Sequence, residues 1–244
     1  MTLIEHFEEL RKRLFIGLIG WLVGSSVAFA FRFEVLDWLK APLPESMTLN
    51  YFTVLEPFTV SMQIAAFFGL VLSFPIILGQ VWGFVAPGLY AEERRYAVPF
   101  IFFAALAFAS GVAFSYYVVL PFSIPILLSF LGGEAQGLLS IGQYISTLLM
   151  LMAMFGLMFE MPVMGFLLAR IGILRHEPLV RTRRWAIVIG VAAAAVITPT
   201  GDPFNLALVA VPLVVLYELT IWVVRFSERR MLHAREDPEP TGPY

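Results

Sequence analysis

Six stretches almost free of charge divide this chain, and no other feature constrains its fold as much. They run from Leu14 to Phe31, Pro57 to Ala91, Tyr96 to Gly133, Ala135 to Arg170 with Glu160 inside, Trp185 to Gly201, and Pro203 to Val224 with Glu218 inside. A helix needs roughly 20 apolar residues to cross a bilayer, so each stretch can supply one crossing. Charged residues make up 14% of the chain, whereas a soluble domain carries about a quarter. In hydrocarbon every backbone polar group must be satisfied within the protein, which leaves helices as the reading for runs of this length. The expected architecture is an all-α polytopic membrane protein with six transmembrane helices. Its spans are placed roughly at 14–34, 57–82, 97–121, 146–170, 185–198 and 203–224. Residues 1–235 form one membrane domain, and the Pro- and acid-rich residues 236–244 a disordered tail.

The side of each loop follows from its cations. Of the 16 Lys and Arg residues, all but Arg32 and Lys40 fall on one face, which the positive-inside rule assigns to the cytoplasm together with both termini. This predicts a multi-pass protein of the cytoplasmic (inner) membrane. The first stretch lacks a small-residue cleavage site and reads as an anchor. Ahead of it, Leu3, Phe7, Leu10 and Leu14 make an apolar stripe on an amphipathic helix, with Thr2 and Glu5 as a capping box. That helix is expected to lie along the membrane surface before turning into the first span. Residues 32–56, with Pro42, Pro44 and several aromatic side chains, read as a small structured cap on the far side. The apolar segment from Trp185 to Ile197 is only roughly 20 Å of helix against a core of about 30 Å, so the fifth and sixth spans are expected to be short.

Chemistry is excluded more firmly than it is indicated. The chain has 0 Cys, so disulfides and thiolate metal sites are absent. Lys12 and Lys40 lack the glycines of a P-loop, and His6, His176 and His233 lie outside the spans, away from any protease arrangement. No basic patch suits nucleic acid. The reading is a protein that is not an enzyme and needs no cofactor or metal.

What remains is carboxylates in unusual places. Glu8, Glu9, Glu92 and Glu93 lie among cations on the expected cytoplasmic face. Glu8–Lys12 and Glu9–Arg13 have the spacing of helix ion pairs on a solvated surface. They equally suit a receptor for a positively charged ligand. Glu160, two residues before Pro162, is a carboxylate in an apolar span, so it is neutral and hydrogen-bonded, paired, or functional. Glu218 reads as snorkelling or pairing with Arg225. Asp202 reads as a cap for the sixth helix, with Pro203 at its first position. The Met-rich fourth span reads as packing or as a surface for an exchangeable helix.

Several motifs in order resemble the TatC family. These are His6-Phe7-Glu8-Glu9-Leu10-Arg11-Lys12-Arg13-Leu14, Ala41-Pro42-Leu43, and Gln80-Val81-Trp82-Gly83-Phe84-Val85-Ala86-Pro87-Gly88-Leu89-Tyr90 with Glu92-Glu93-Arg94-Arg95. Further along, Phe155-Gly156-Leu157-Met158-Phe159-Glu160-Met161-Pro162-Val163 and Thr198-Pro199-Thr200-Gly201-Asp202-Pro203 continue the match. The resemblance implies a concave, glove-like helix bundle acting as the receptor subunit of the twin-arginine translocase. Such a subunit binds Arg-Arg signal peptides of folded proteins on the cytoplasmic face. It assembles with the single-span proteins TatB and TatA for export driven by the proton gradient, and self-association is expected. On this resemblance Glu9 and Glu93 match the receptor carboxylates, Arg11 and Arg13 the neighbouring basic positions, and Phe84 and Pro87 the loop positions. Pro42 matches a proline of the first periplasmic loop and Glu160 the intramembrane Glu. Thr198, Asp202 and Asn205 lie in the partner-docking region, where Leu206 replaces the Gln that many relatives carry. The alternative is a proton-coupled secondary transporter with Glu160 as coupling acid, which predicts paired broken helices and an internal repeat. Neither is visible in the sequence.

Overall fold

The computed structural model describes residues 3–44, 47–85, 97–129, 138–197 and 203–236. They are helical almost throughout, and the chain packs as two compact units, Met1–Leu157 and Met158–Tyr244. Among the described residues, five helices are long and apolar enough to cross a membrane: Glu5–Ala30, Glu56–Phe84, Ala97–Ile126, Ile141–Arg170 and Pro203–Glu228.

In the first unit, α1 (Leu3–Ala30) is one unbroken helix, so the turn expected between an interfacial segment and the first span is not there. Its partner is α3 (Glu56–Val85), which continues through Pro75. The two backbones meet where side chains vanish. A Cβ on Gly24 would sit 2.7 Å from the Gly69 carbonyl, and one on Gly69 would collide with the Ser25 backbone. Without water to drive association in a membrane, close approach at small residues supplies the packing energy. Trp21 fastens the seam by donating its indole N–H to the Ala66 carbonyl at 2.9 Å. The inward stripe of α1 is therefore Glu9, Arg13, Gly17, Gly20 and Gly24, while Phe7 and Leu14 of the apolar stripe are exposed, as a lipid-facing surface should be.

The end of this unit away from Glu9 is closed by a short helix, α2 (Arg32–Lys40). The last carbonyls of a helix have no partner within it. Here the Tyr116 hydroxyl donates to the Trp38 carbonyl at 2.6 Å and the Tyr144 hydroxyl to the Leu39 carbonyl at 2.9 Å. Tyr116 also stacks on Trp38 with ring centres 3.7 Å apart. It lies in a π-helical turn, Ser115–Val119, that links α4 (Ala97–Phe114) to α5 (Leu120–Ser129). A π turn inserts one extra residue and so re-aims the side chains it carries. Arg32 lies over the rings of Phe29 and Phe33, and Lys40 pairs with Asp37 at 2.7 Å. Both cations of this end are thus engaged locally.

Two-residue strands β1 (Leu49–Asn50) and β2 (Leu139–Ser140) pair in parallel beside this cap. Glu56 clasps them. One of its oxygens accepts the Ser140 hydroxyl and, at 2.8 Å, the Gly142 N–H; the other accepts the Phe52 N–H at 2.7 Å. The core under the cap contains Leu39, Ile64, Phe108 and Ile145, and Met152 of α6 (Ile141–Arg170), all fully or almost fully buried.

In the second unit α6 runs through Pro162 without a break and ends in a Schellman turn. Ile173 N–H donates to the Leu168 carbonyl at 2.9 Å and Gly172 N–H to the Ala169 carbonyl at 3.0 Å. Gly172 takes a φ of 75°, the left-handed conformation that this cap requires and glycine adopts at no steric cost. α7 (His176–Ile197) is not among the five long apolar helices because Arg181, Arg183 and Arg184 occupy its first half, and its remaining apolar part is the short fifth segment foreseen from the sequence. α8 (Pro203–Glu236) is longer than expected, since the basic segment after Val224 continues the helix. Residues 237–244, expected as a disordered tail, lie outside the described residues.

Candidate functional site

The amphipathic start of α1 turns one polar edge toward the end of α3. Arg13 donates from Nε at 3.1 Å and from Nη2 at 2.7 Å, both to Oε1 of Glu9. The guanidinium rests on Gly83, where a Cβ would collide with it. His6 stacks on Phe84 with ring centres 4.4 Å apart. Glu9, Arg13 and Phe84, singled out from the sequence, are therefore brought together, and Gly83 and His6 join them. The Gly83 role has no signature beyond being a glycine. His6 lies three residues before Glu9 and so on its face, which the helical period could have revealed.

The carboxylate is half spent. Glu9 and Arg13 side chains retain 20% and 29% of their accessibility, and Glu9 Oε2 is shielded with no hydrogen-bond partner among the described residues. A carboxylate accepts roughly four hydrogen bonds, so Oε2 has capacity for another cationic donor. Arg11 lies elsewhere: two residues from Glu9, at 100° per residue, it is on the opposite side of α1, exposed and over the Phe15 ring at 5.8 Å. Pro87 and Glu93 lie outside the described residues.

Directly below this edge a cavity of about 740 Å³ opens between α1, α3 and α6. Its walls are largely apolar, with Arg13 and Phe84 at the upper rim and Gln63 and Ser146 at the far end.

Pro42 sits in the turn that follows α2, where Leu43 N–H donates to the Lys40 carbonyl at 3.0 Å. The turn sends Leu43 back onto the core. Glu160 is 9% exposed on α6, a buried carboxylate within an apolar helix. Thr198 and Asp202 lie outside the described residues, while Pro203 opens α8 as the capping pattern expects. Asn205 is buried, 5% exposed. Leu206 joins Val191, Ala207, Ala210 and Val211 around a second apolar groove between α7 and α8 of about 430 Å³.

Glu218 corrects the sequence reading. Its partner is Arg183 of α7, not Arg225, because seven residues along α8 separate Glu218 from Arg225 by about 10 Å while the antiparallel α7 runs alongside. The hydrogen bonds to Glu218 raise the Arg183 pKa above its ordinary value. Beside it the Tyr217 hydroxyl donates to the Leu179 carbonyl at 2.8 Å, and Glu228 accepts the His176 backbone N–H at 3.0 Å and bonds its Nδ1. A carboxylate at the start of α7 also opposes the positive helix end. Among the described residues no group of three or more His, Cys, Asp or Glu could hold a metal ion.

Comparison with known proteins accounts for this arrangement. A family profile described as Sec-independent protein translocase protein (TatC) matches residues 5–212. The TatC protein of Deinococcus radiodurans is 39% identical over 98% of this chain and 91% of its own length. That of Aquifex aeolicus is 36% identical over 94% and 97%. The chloroplastic protein of Arabidopsis thaliana is 35% identical over 94% of this chain and 68% of its own length. A crystal structure of a twin-arginine translocase receptor, TatC, superposes with a TM-score of 0.80 at 35% identity, covering 91% of this chain and 99% of the other. A second, in a detergent, gives 0.81 at 36% identity. Sequence match over nearly the full length and agreement of fold lead to one conclusion: this membrane protein belongs to the TatC family.

Proposed function

We propose that the protein is the receptor subunit of a twin-arginine translocase and that Glu9 takes one guanidinium of a signal peptide's arginine pair. The observation that carries this reading is the shielded Oε2 of Glu9, without a hydrogen-bond partner among the described residues, beside the occupied Oε1. Two neighbouring guanidinium groups call for planar acceptors, and a carboxylate near the low-dielectric headgroup boundary forms charge-assisted bonds that a lysine ligand matches less well. Glu93 supplies the second carboxylate on this reading, with Pro87 as a further contact; Arg13 and Phe84 border the site, and Arg11 acts from the other side of α1 as neighbouring positive charge. Both termini and the Glu9 site face the cytoplasm of an inner membrane, in accord with the distribution of cations.

The apolar groove between α7 and α8 suits the single helices of TatB and TatA, with Asn205 close to the start of α8; Thr198 and Asp202 complete the docking region on this reading. Leu206 makes this contact one of packing rather than hydrogen bonding. Glu160 serves the transport step, which draws on the proton gradient. Binding of a fluorescent twin-arginine peptide to the purified protein tests the recognition site. A hydrogen bond between charged groups contributes about 2 kcal/mol, so Glu9→Gln weakens binding about 30-fold while a Lys-Lys peptide binds poorly to both forms. Unchanged affinity in Glu9→Gln overturns the assignment.

A further inference from the structure

Three arginines precede the apolar segment of α7, and they are not used alike. Arg183 bonds both oxygens of Glu218 on α8. Arg181 and Arg184 are exposed and join no ion pair among the described residues; they lie about 160° and 100° around the helix from Arg183. We infer that Arg181, Arg184 and Trp185 form a binding site for the phosphate headgroup of an anionic phospholipid, whose acyl chains lie along the exposed Val188 and Ile189. The site is independent of the Glu9 reading.

The packing of α7 on α8 holds these groups outward. His176 N–H donates to Glu228 at 3.0 Å, the Tyr217 hydroxyl to the Leu179 carbonyl at 2.8 Å, and the Thr182 hydroxyl lies 3.4 Å from that of Tyr217. Rolling α7 to bring Arg181 or Arg184 to a carboxylate of α8 would break these bonds. Residues three and four apart on a helix are neighbours, so Arg181, Arg184 and Trp185 share one surface. The Arg184 guanidinium lies 6.0 Å from the Trp185 ring centre. Glu177, one turn before Arg181, is exposed and does not pair with it.

Depth selects a lipid. From Ile197, where the apolar segment ends, Arg184 is about 20 Å and Arg181 about 24 Å back along α7. A bilayer core is about 30 Å thick, so with Ile197 at one boundary both arginines start inside the hydrocarbon of an undeformed membrane. Their side chains snorkel outward, and a phosphate drawn inward meets them and removes the cost of unpaired charge at that depth. Trp185, Val188 and Ile189 are each more than half exposed on the same face. An acidic protein segment would satisfy the arginines and leave these three side chains bare, whereas a lipid covers both. Tryptophan suits this boundary, since its ring is apolar and its N–H can bond a headgroup. Guanidinium groups fork onto phosphate oxygens in a way that an ammonium cannot.

Competition between lipids tests the site on the full chain in vesicles. Phosphatidylglycerol and phosphatidylcholine, each with brominated acyl chains, are titrated as fluorescence quenchers, and the Trp185 signal is the difference between the natural protein and Trp185→Phe. Brominated phosphatidylglycerol should half-quench Trp185 at about a tenfold lower mole fraction than brominated phosphatidylcholine. Arg181→Gln with Arg184→Gln should erase that preference. Arg181→Lys with Arg184→Lys keeps the charge but loses the fork, and should retain a preference of about threefold. The matched control is Arg175→Gln with Arg225→Gln, which removes equal charge from two other exposed positions and should leave the preference within about twofold.

Equal quenching by the two lipids in the natural protein overturns the inference without recourse to any variant. An undiminished preference in the Arg181 and Arg184 glutamine pair places the lipid elsewhere and also overturns it. A loss in the Arg175 and Arg225 control as large as that in the Arg181 and Arg184 pair reduces the effect to surface charge. Displacement of the phosphatidylglycerol by inorganic phosphate at constant ionic strength makes this a site for a free anion; either of these last results rejects the inference.

Discussion

The two ends of the first unit are held in opposite ways. At the α2 end, hydroxyls of Tyr116 and Tyr144 reach backbone carbonyls, Glu56 gathers several donors, and Leu39 is 0% exposed. At the Glu9 end, the ties are a side-chain ion pair and a ring stack on an exposed face. Side-chain-to-backbone bonds in a buried cluster cannot be exchanged without exposing orphan carbonyls. A partly exposed ion pair contributes little and can be remade with another cation. One end is thus a fixed closure, and the other is left able to bind.

The sharpest way to break this contrast is at Leu39. Leu39→Ala should lower stability by about 3 kcal/mol, read by unfolding in mixed detergent, because a fully buried leucine leaves a cavity as well as lost transfer energy. Tyr144→Phe should cost about 1 kcal/mol, the net value of a buried hydrogen bond, and leave peptide binding unchanged. Gly83→Ala gives the smallest effect on stability, below about 1 kcal/mol, since better helix propensity offsets displacement of the flexible end of Arg13. The displaced guanidinium moves over Glu9, so peptide affinity should fall about threefold. If Gly83→Ala destabilises the protein as much as Leu39→Ala, the Glu9 end is a structural clasp and the contrast fails.

Much of the site was legible because helical periodicity is local. Glu9 and Arg13 are four residues apart, and any helix there brings them together. The carboxylate's inward orientation was not legible. The expected interfacial helix took its character from Leu3, Phe7, Leu10 and Leu14, whereas the seam with α3 selected the stripe through Gly17, Gly20 and Gly24 and carried Glu9 and Arg13 with it. Close approach of two backbones decides such a seam, and glycine spacing on one helix does not name the partner. Glu218 failed for a related reason: its local cation was Arg225, but the cation within reach came from another helix. Gln63 and Gln80 carried no signal until the cavity put them on one wall.

By itself, the sequence determined that this chain lives in a membrane, roughly where its helices run, that the fifth apolar segment is short, and that a few carboxylates stand out among cations. Those properties depend on transfer energies and on periods of a few residues, which are written along the chain. Only the tertiary structure decided which face of α1 turns inward, how Tyr116 and Tyr144 close the α2 end, where Arg183 finds Glu218, and that an apolar trough continues from Glu9. Each of these depends on which distant surfaces touch, and contact through space is fixed by packing rather than by sequence spacing.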